Sequence, residues 1–334
     1  MNYLLTIAIP TYNGATTIKT LLDLILNQYD ERTELLILNN ASTDNTLEIL
    51  MQYKTKYPFI RIKNQETNIG PDANFLDCFR EAKGKFVHLI SDDDILFENR
   101  LHDILKFLEE NINVSLVYLQ TIGFYGRYNG ILSCDSRELK EKITSFVTKD
   151  KKEFMKKSAH YWGFVSSFIC SKKEFELITN PERFFHTYWL QSYIHILCAK
   201  NKNALLGVIA GPCVGAGRYI NINNFDAVLV DGIYYKQMLD FAVSQAGFDK
   251  KQLSKLYKKR FFMLARHNII KEKAIGIKKM NFKGLFRITM KYPKAWFTLY
   301  PFYLVPSFIC KIYNIYYRKK KGIETKGGIN RLEN

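Results

Sequence analysis

The sequence predicts an α/β protein: a mostly parallel sheet flanked by helices, followed by a helical, basic C-terminal region. Three observations carry this. The first 120 residues alternate between short β-rich apolar runs and amphipathic stretches of about a dozen residues. A polar cluster follows each of the first four apolar runs. The net charge of +17 over 334 residues is also unevenly placed. From Lys250 to Asn334 twenty-two Lys or Arg stand against three acidic residues, so the body before them is near neutral.

The first run, YLLTIAIP (3–10), is short and β-rich, and reads as a strand. TTIKTLLDLILNQ (16–28) carries Ile18, Leu21, Leu22 and Ile25 at helical spacing. ELLILNN (34–40) is a second strand. STDNTLEILMQYKTKY (42–57) opens on a Ser/Thr/Asp cluster that suits a helix cap. FIRIKNQ (59–65) is a third strand. GPDANFLDCFREAKG (70–84) has Pro71 at a helix start and Gly84 as its stop. KFVHLIS (85–91) is a fourth strand, ENRLHDILKFLEEN (98–111) a helix, and VSLVYLQ (114–120) the next strand. Beyond it, GFYGRYNGILSCDSRELK reads as irregular or hairpin structure, WGFVSSFICSKKEFELI as a strand running into a helix, TYWLQSYIHILCAKN as a helix, and ALLGVIAGPCVGAG as strand plus loop. From about residue 226 the pattern is helical, basic and aromatic.

In parallel sheets the ligand crevice lies outside the carboxyl ends of the strands. TYNG, NNASTD, NQETNIG and SDDD follow the first four strands, so all four clusters share one sheet edge. Within SDDD, Asp92, Asp93 and Asp94 repel one another. Read plainly, they are helix-capping aspartates in a strand-to-helix turn. Read functionally, they hold Mg²⁺ or Mn²⁺, hard ions that take one or two carboxylates with phosphate oxygens and water. An ion held on a diphosphate neutralises charge on a phosphate leaving group.

As a set, TIAIPTYNGATTIKTLLDLILNQ, LLILNNASTDNT, NQETNIGPDANF and FVHLISDDDILFENRL resemble the family 2 glycosyltransferases, most closely the bacterial members that build O-antigen, capsule or related surface glycans. The resemblance covers residues 3–120. It implies the GT-A fold, a Rossmann-like mixed or mostly parallel sheet, and inverting transfer of a sugar from a nucleotide diphosphate-sugar, UDP by default. It further implies that Pro10, Thr11, Tyr12 and Asn13 hold the nucleoside. Asn39 and Asn40 would contact the base. Asn68, Gly70 and the helix they open, with Asn74 on it, would lie along the nucleotide or sugar. Ser91 and Asp92 stand in the counterpart of the family's DxD motif, and the metal ligands would be Asp92, Asp93 and Asp94, with Asp93 the most direct.

The chain departs from the family pattern at three places. Asn39 and Asn40 replace the usual acidic pair, though an Asn still offers a donor and an acceptor to a pyrimidine edge. Ser91 occupies the first DxD position. The acidic pair that usually supplies the general base is missing from NPERFFHTYWLQSYIHIL (180–197). His186 is the candidate base there, because imidazole titrates near neutral pH, and a plain surface histidine is the competing reading. Glu182 is the second candidate. His195 reads as structural, and Asp226 and Asp231 are outsiders.

KYPKAWFTLYPFYLVPSFICKIYNIYYRKKKG (291–322) holds sixteen uncharged residues between Lys294 and Lys311, interrupted by Pro301 and Pro306. A spanning helix wants about 20 apolar residues and no such breaks. Its tyrosines and flanking cations suit an anionic membrane surface. Packing as core and a kinked span are the other readings. Nucleic acid is a rival partner for the charge, but no nucleic-acid module is present, and none is expected as a partner. Six scattered cysteines without a CxxC pair, and no signal-peptide pattern, suggest a cytoplasmic protein, peripheral on the inner face of the cytoplasmic membrane. The expected organisation is a nucleotide-sugar half (1–120), an acceptor half (121–225) that takes a glycan or polyprenyl-diphosphate-linked glycan, and the basic region (226–334). A non-catalytic nucleotide- or membrane-binding scaffold is the alternative. A nucleotidyltransferase would need a glycine-rich phosphate loop, and PTYNGAT has one glycine.

Overall fold

A computed structural model of the chain describes residues 3–125, 142–218, 228–275, 282–290, 297 and 300–320. These divide into two units, Met1–Gly217 with Ala242–Asp249, and Arg218–Phe241 with Lys250–Asn334. The first unit is built on a nine-stranded sheet. The sheet runs unbroken across residue 120, which lies within its sixth strand.

In chain order the first elements are β1 (Leu5–Thr11), α1 (Ile18–Leu26), β2 (Thr33–Asn39), α2 (Thr46–Lys56), β3 (Arg61–Asn64), α3 (Pro71–Glu81), β4 (Phe86–Leu89), β5 (Ile95–Leu96), α4 (Arg100–Glu110) and β6 (Val114–Tyr125). Then come β7 (Thr144–Thr148), α5 (Lys151–Ser158), β8 (Phe168–Ser171), α6 (Lys172–Glu176), α7 (Leu190–Cys198) and β9 (Leu205–Arg218). The sheet order is β3-β2-β1-β4-β8-β6-β9-β5, with β7 also on β9. β3, β2, β1 and β4 are parallel, as their alternation with helices predicts.

β1 and β2 are buried on both faces, which is why they read as unbroken apolar runs. One face packs Leu5, Ile7 and Ile9 against Leu21, Leu22 and Ile25 of α1 and Leu101, Ile104 and Leu108 of α4 in one cluster. α3 covers the strands too, burying Leu76 and Phe79.

Beyond β4 the sheet turns antiparallel, at β4–β8, β6–β8, β5–β9 and β7–β9. β8 lies between β4 and β6 in the sheet. β9 is one strand where the glycines and Pro212 suggest a loop. The reason is a change of partner: β7 pairs residues 206–210 and β5 pairs 214–215. Gly211, at φ +100°, marks the junction and donates its N–H to Gln120 at 3.0 Å. Most of the stretch read as irregular or hairpin structure, its residues 126–140, lies outside the described residues.

The second unit is helical, as its pattern predicts. A π-helical turn at Val228–Tyr234 runs into α8 (Tyr235–Ala246), followed by α9 (Lys250–Ile275), α10 (Phe282–Thr289), α11 (Tyr300–Leu304) and α12 (Ser307–Lys320). α9 packs against α12. No helix among the described residues is long and apolar enough to cross a membrane. Pro306 ends the aromatic run as two short helices.

Candidate functional site

The parallel strands end together, and their polar clusters meet there. Pro10 and Thr11 are the last residues of β1 itself, not of the loop. Thr11 is buried, and its hydroxyl donates to the Asp92 carboxyl, joining the end of β1 to the end of β4. Gly14 packs on this junction. A Cβ there would fall onto Asp92 Oδ2 and Thr11 Oγ1, so any larger residue must push the Asp92 carboxyl aside.

The β2 end is built from amides. Asn39 is fully buried, donating to Asn64 Oδ1 at 2.6 Å and accepting from the Ser42 hydroxyl. Ser42 in turn accepts the Asn13 N–H at 2.9 Å, and Asn13 Oδ1 accepts the Thr43 N–H at 2.8 Å. Asn13 holds φ +54°, a left-handed conformation that Asn tolerates. Asn40 donates to Asn68 Oδ1 at 3.0 Å and accepts the Ile69 N–H at 2.9 Å. Gly70, at φ +83°, then opens α3, where buried Asn74 donates to the Leu38 carbonyl at 3.2 Å. Asn39 and Asn40, expected to contact a base, are thus committed to holding the loops. Tyr12, Asn64 and Asn68 are exposed at this edge, as are Thr43, Glu66 and Thr67.

The aspartates split into two roles. Asp94 is buried and both its oxygens accept from protein: Ser166 Oγ at 2.5 Å and the Gly217 N–H at 2.9 Å. Ser166 also accepts the Ser91 N–H at 2.9 Å, and its carbonyl takes His88 Nε2 at 2.8 Å. Asp93 accepts the Ser91 hydroxyl at 2.6 Å. Asp92 and Asp93 keep part of their surface in water. None of the three forms an ion pair among the described residues. Burial pushes the Asp92 carboxyl up to about 7, and Asp93 and Asp44 add repulsion against the hydrogen bond from Thr11. Burial also raises Asp93 and lifts Asp94 well above the usual carboxylate range.

A group of three or more His, Cys, Asp or Glu able to cage a metal is absent among the described residues, so the expected three-aspartate ligand set is not assembled. Asp92 and Asp93 do fit the smaller share that Mg²⁺ and Mn²⁺ need, two carboxylates with no opposing cation.

The acceptor-side candidates lie along α3. Glu182 forms an ion pair with Arg80, and that hydrogen bond holds its carboxyl below the ordinary range. It is therefore a poor proton acceptor. His186 is exposed at φ +65°, and its N–H donates to Asp72 at 2.7 Å. Tyr188, at φ +63°, is a second left-handed residue of the same loop. Burial raises the Asp72 carboxyl despite that bond. His195 is buried between Phe79 and Phe168 and pushed down to about 3, a neutral core ring. In the second unit Asp231 lies 3.5 Å from Arg260. Asp226 lies outside the described residues.

Sequence reasoning missed Gly14, Asp44, Asp72, Ser166 and Gly217. The glycine of TYNG and the STD cluster were visible signals, the latter read as a helix cap and as part of the NNASTD cluster but not for Asp44 itself. Asp44 does bond the Thr46 N–H at 3.0 Å, but its other oxygen accepts the Ala15 N–H of the β1 loop at 3.2 Å.

The family model described as Glycosyl transferase family 2 matches residues 6–174, just over half the chain. The chain is a family 2 glycosyltransferase. Abequosyltransferase RfbV of Salmonella typhimurium is 25% identical over 228 residues, 63% of this chain and 66% of that one. Poly(ribitol-phosphate) β-N-acetylglucosaminyltransferase TarS of Staphylococcus aureus is 29% identical over 124 residues, 36% of this chain and 21% of that one. The family 2 chain thus spans under two thirds of one of these relatives and about a fifth of the other. Among solved structures, S. aureus TarS 1–349 in complex with UDP-GlcNAc aligns at a TM-score of 0.61 with 15% identity, over 98% of this chain and 93% of that one. Mannosyltransferase PcManGT from Pyrobaculum calidifontis, in complex with GDP-Man and Mn²⁺, aligns at 0.50 with 15% identity, over 94% and 88%. That likeness establishes the GT-A fold for this glycosyltransferase.

Proposed function

We propose that the chain is an inverting, metal-dependent glycosyltransferase that moves a sugar from a nucleotide diphosphate-sugar to a glycan or polyprenyl-diphosphate-linked acceptor in bacterial surface-polysaccharide assembly. The convergence of Thr11, Gly14 and Asp92 where β1 and β4 end carries the reading. It puts an uncompensated carboxylate pair at the edge where a parallel sheet takes its ligand. Asp92 and Asp93 would hold Mn²⁺ or Mg²⁺, which when bound supplies positive charge to the leaving diphosphate. Asp94 would fix the loop that carries them. The Asn13–Ser42–Asn39 and Asn40–Asn68 networks would shape the nucleoside cleft, leaving Tyr12, Asn64 and Asn68 to touch the base.

His186 would take the acceptor hydroxyl proton as that oxygen bonds the anomeric carbon. The sugar–phosphate C–O bond breaks on the opposite face, and its electron pair leaves with the diphosphate. Asp72 would hold the His186 loop. Residues 121–225 would supply the acceptor side. The donors and acceptors named for the relatives support this class, with UDP as the first donor to test. A lipid-linked acceptor would place the work on the inner face of the cytoplasmic membrane.

The test is a thermal-shift panel with UDP-, GDP-, dTDP- and CDP-sugars, each with Mn²⁺ and with EDTA. A rise for one nucleotide class that needs the metal is expected. A panel without any shift, joined to an absence of slow donor hydrolysis, would favour a non-catalytic scaffold.

A further inference from the structure

We propose that α10 and α12 form a docking surface for an anionic lipid bilayer, lying in the headgroup layer without spanning it. This deepens the membrane reading above and is independent of the donor chemistry.

Among the described side chains of α12, Cys310 is buried, while Phe308, Ile312, Ile315 and Tyr316 are each more than 60% exposed. The spacing 308, 312, 315, 316 is that of one helix face. α10 repeats the pattern, with Phe286 and Met290 exposed beside exposed Lys283 and Arg287. Soluble chains rarely leave faces of such large apolar side chains in water.

The charge of the sequence that carries these helices argues for one occupant. Between Glu272 and Glu324 there is no acidic residue and there are twelve Lys or Arg. Exposed Lys311 sits within the apolar face of α12, and Arg318, Lys319, Lys320 and Lys321 follow it in sequence. A second copy would bring the same positive charge to the interface. A nucleic acid would satisfy the charge but leave aliphatic Ile312 and Ile315 without a partner. An anionic bilayer satisfies both, taking the apolar face into the acyl boundary and the cations into the headgroups.

The experiment is co-sedimentation of the full chain with phosphatidylcholine vesicles, with and without phosphatidylglycerol. Parallel mixtures hold duplex or single-stranded nucleic acid, and a control holds no vesicle. The chain is expected to sediment with the phosphatidylglycerol vesicles. The triple variant Lys283→Gln, Arg287→Gln, Lys311→Gln should weaken this on the order of a hundredfold, at about 1 kcal/mol per cation near the surface. The double variant Ile312→Asp, Ile315→Asp should abolish it, and both positions are exposed, so the fold is preserved. Donor-dependent melting, measured on the same samples, reports the active site separately. Equal binding by wild type and the double variant would overturn the proposal. So would sedimentation without vesicles that the double variant relieves, or capture by nucleic acid with none by vesicles.

Discussion

Replacing Asp92 with Asn is expected to stabilise the metal-free chain at pH 8 while removing its response to a divalent cation. The Asp92 carboxyl sits at about 7, against an ordinary 3.8, chiefly through burial and then through Asp93 and Asp44. Between those values the folded chain keeps a proton that the unfolded chain has lost. The folded state binds more protons, so stability falls as pH rises from about 4 to about 7, and the loss is complete above that window. The shift is about three units, and at 1.36 kcal/mol each it costs about 4 kcal/mol. Asp92 keeps part of its surface in water, so this is a ceiling.

Asn is isosteric, neutral at every pH, and still accepts from Thr11. In a unit of this size each kcal/mol moves the melting temperature by about 2–4 °C. The variant should therefore melt several degrees above wild type at pH 8 and level with it at pH 4. Saturating Mn²⁺ should close most of that gap. A ligand at a hundred times its Kd adds about 2.7 kcal/mol to the chain that binds it, here wild type alone. The assay is melting temperature against pH, with Mn²⁺ and with EDTA. A wild-type curve flat between pH 5 and 8, or a variant less stable than wild type at pH 8 in EDTA, would refute the reasoning.

Asp93→Ala should abolish turnover with little change in urea midpoint, and near-native activity would contradict its role as a metal ligand. Ser166→Ala leaves the Ser91 N–H and one Asp94 oxygen without partners, at about 1–3 kcal/mol each; denaturant titration should show that loss, with a matching fall in donor-dependent melting shift. Gly14→Ala should keep the fold by circular dichroism and lose that shift, because its Cβ displaces the Asp92 carboxyl. His186→Ala should lower kcat roughly 10²–10⁴-fold at unchanged donor KM, whereas Glu182→Gln should stay within a few-fold of wild type.

The parallel half of the sheet was legible because each of its strands is followed locally by its own helix, so period and order are written side by side. The antiparallel half was not. β9 pairs with β5 and β7, far away in sequence, and its Gly211–Pro212 junction looks like a loop until both partners are in place. The site divides in the same way. Thr11, Asn13, Asn39, Asn40 and the aspartates follow from the rule that ligands gather at the ends of parallel strands. Ser166 and Gly217 reach Asp94 from 72 and 123 residues away, and nothing in SS or VGAG marks them. The roles were harder to read than the places. Asn39 and Asn40 stand where expected, but their amides hold neighbouring loops, a use that only the hydrogen-bond partners disclose.

That use of asparagine has an electrostatic consequence. Loops fixed by carboxylates would spread negative charge along the strand ends. Here Asn13, Asn39, Asn40, Asn64 and Asn68 do the fixing without charge, so negative potential concentrates at Asp92 and Asp93, with Asp44 beside them. Among the described residues no Lys or Arg pairs with Asp92, Asp93 or Asp94. A diphosphate carried to this edge would meet like charge in a partly desolvated site, where repulsion is poorly screened. A cation between them turns the same carboxylates into the anchor. The proposed metal dependence of donor binding would rest on this charge layout, and it should be strongest at low ionic strength and above pH 7, where Asp92 has given up its proton.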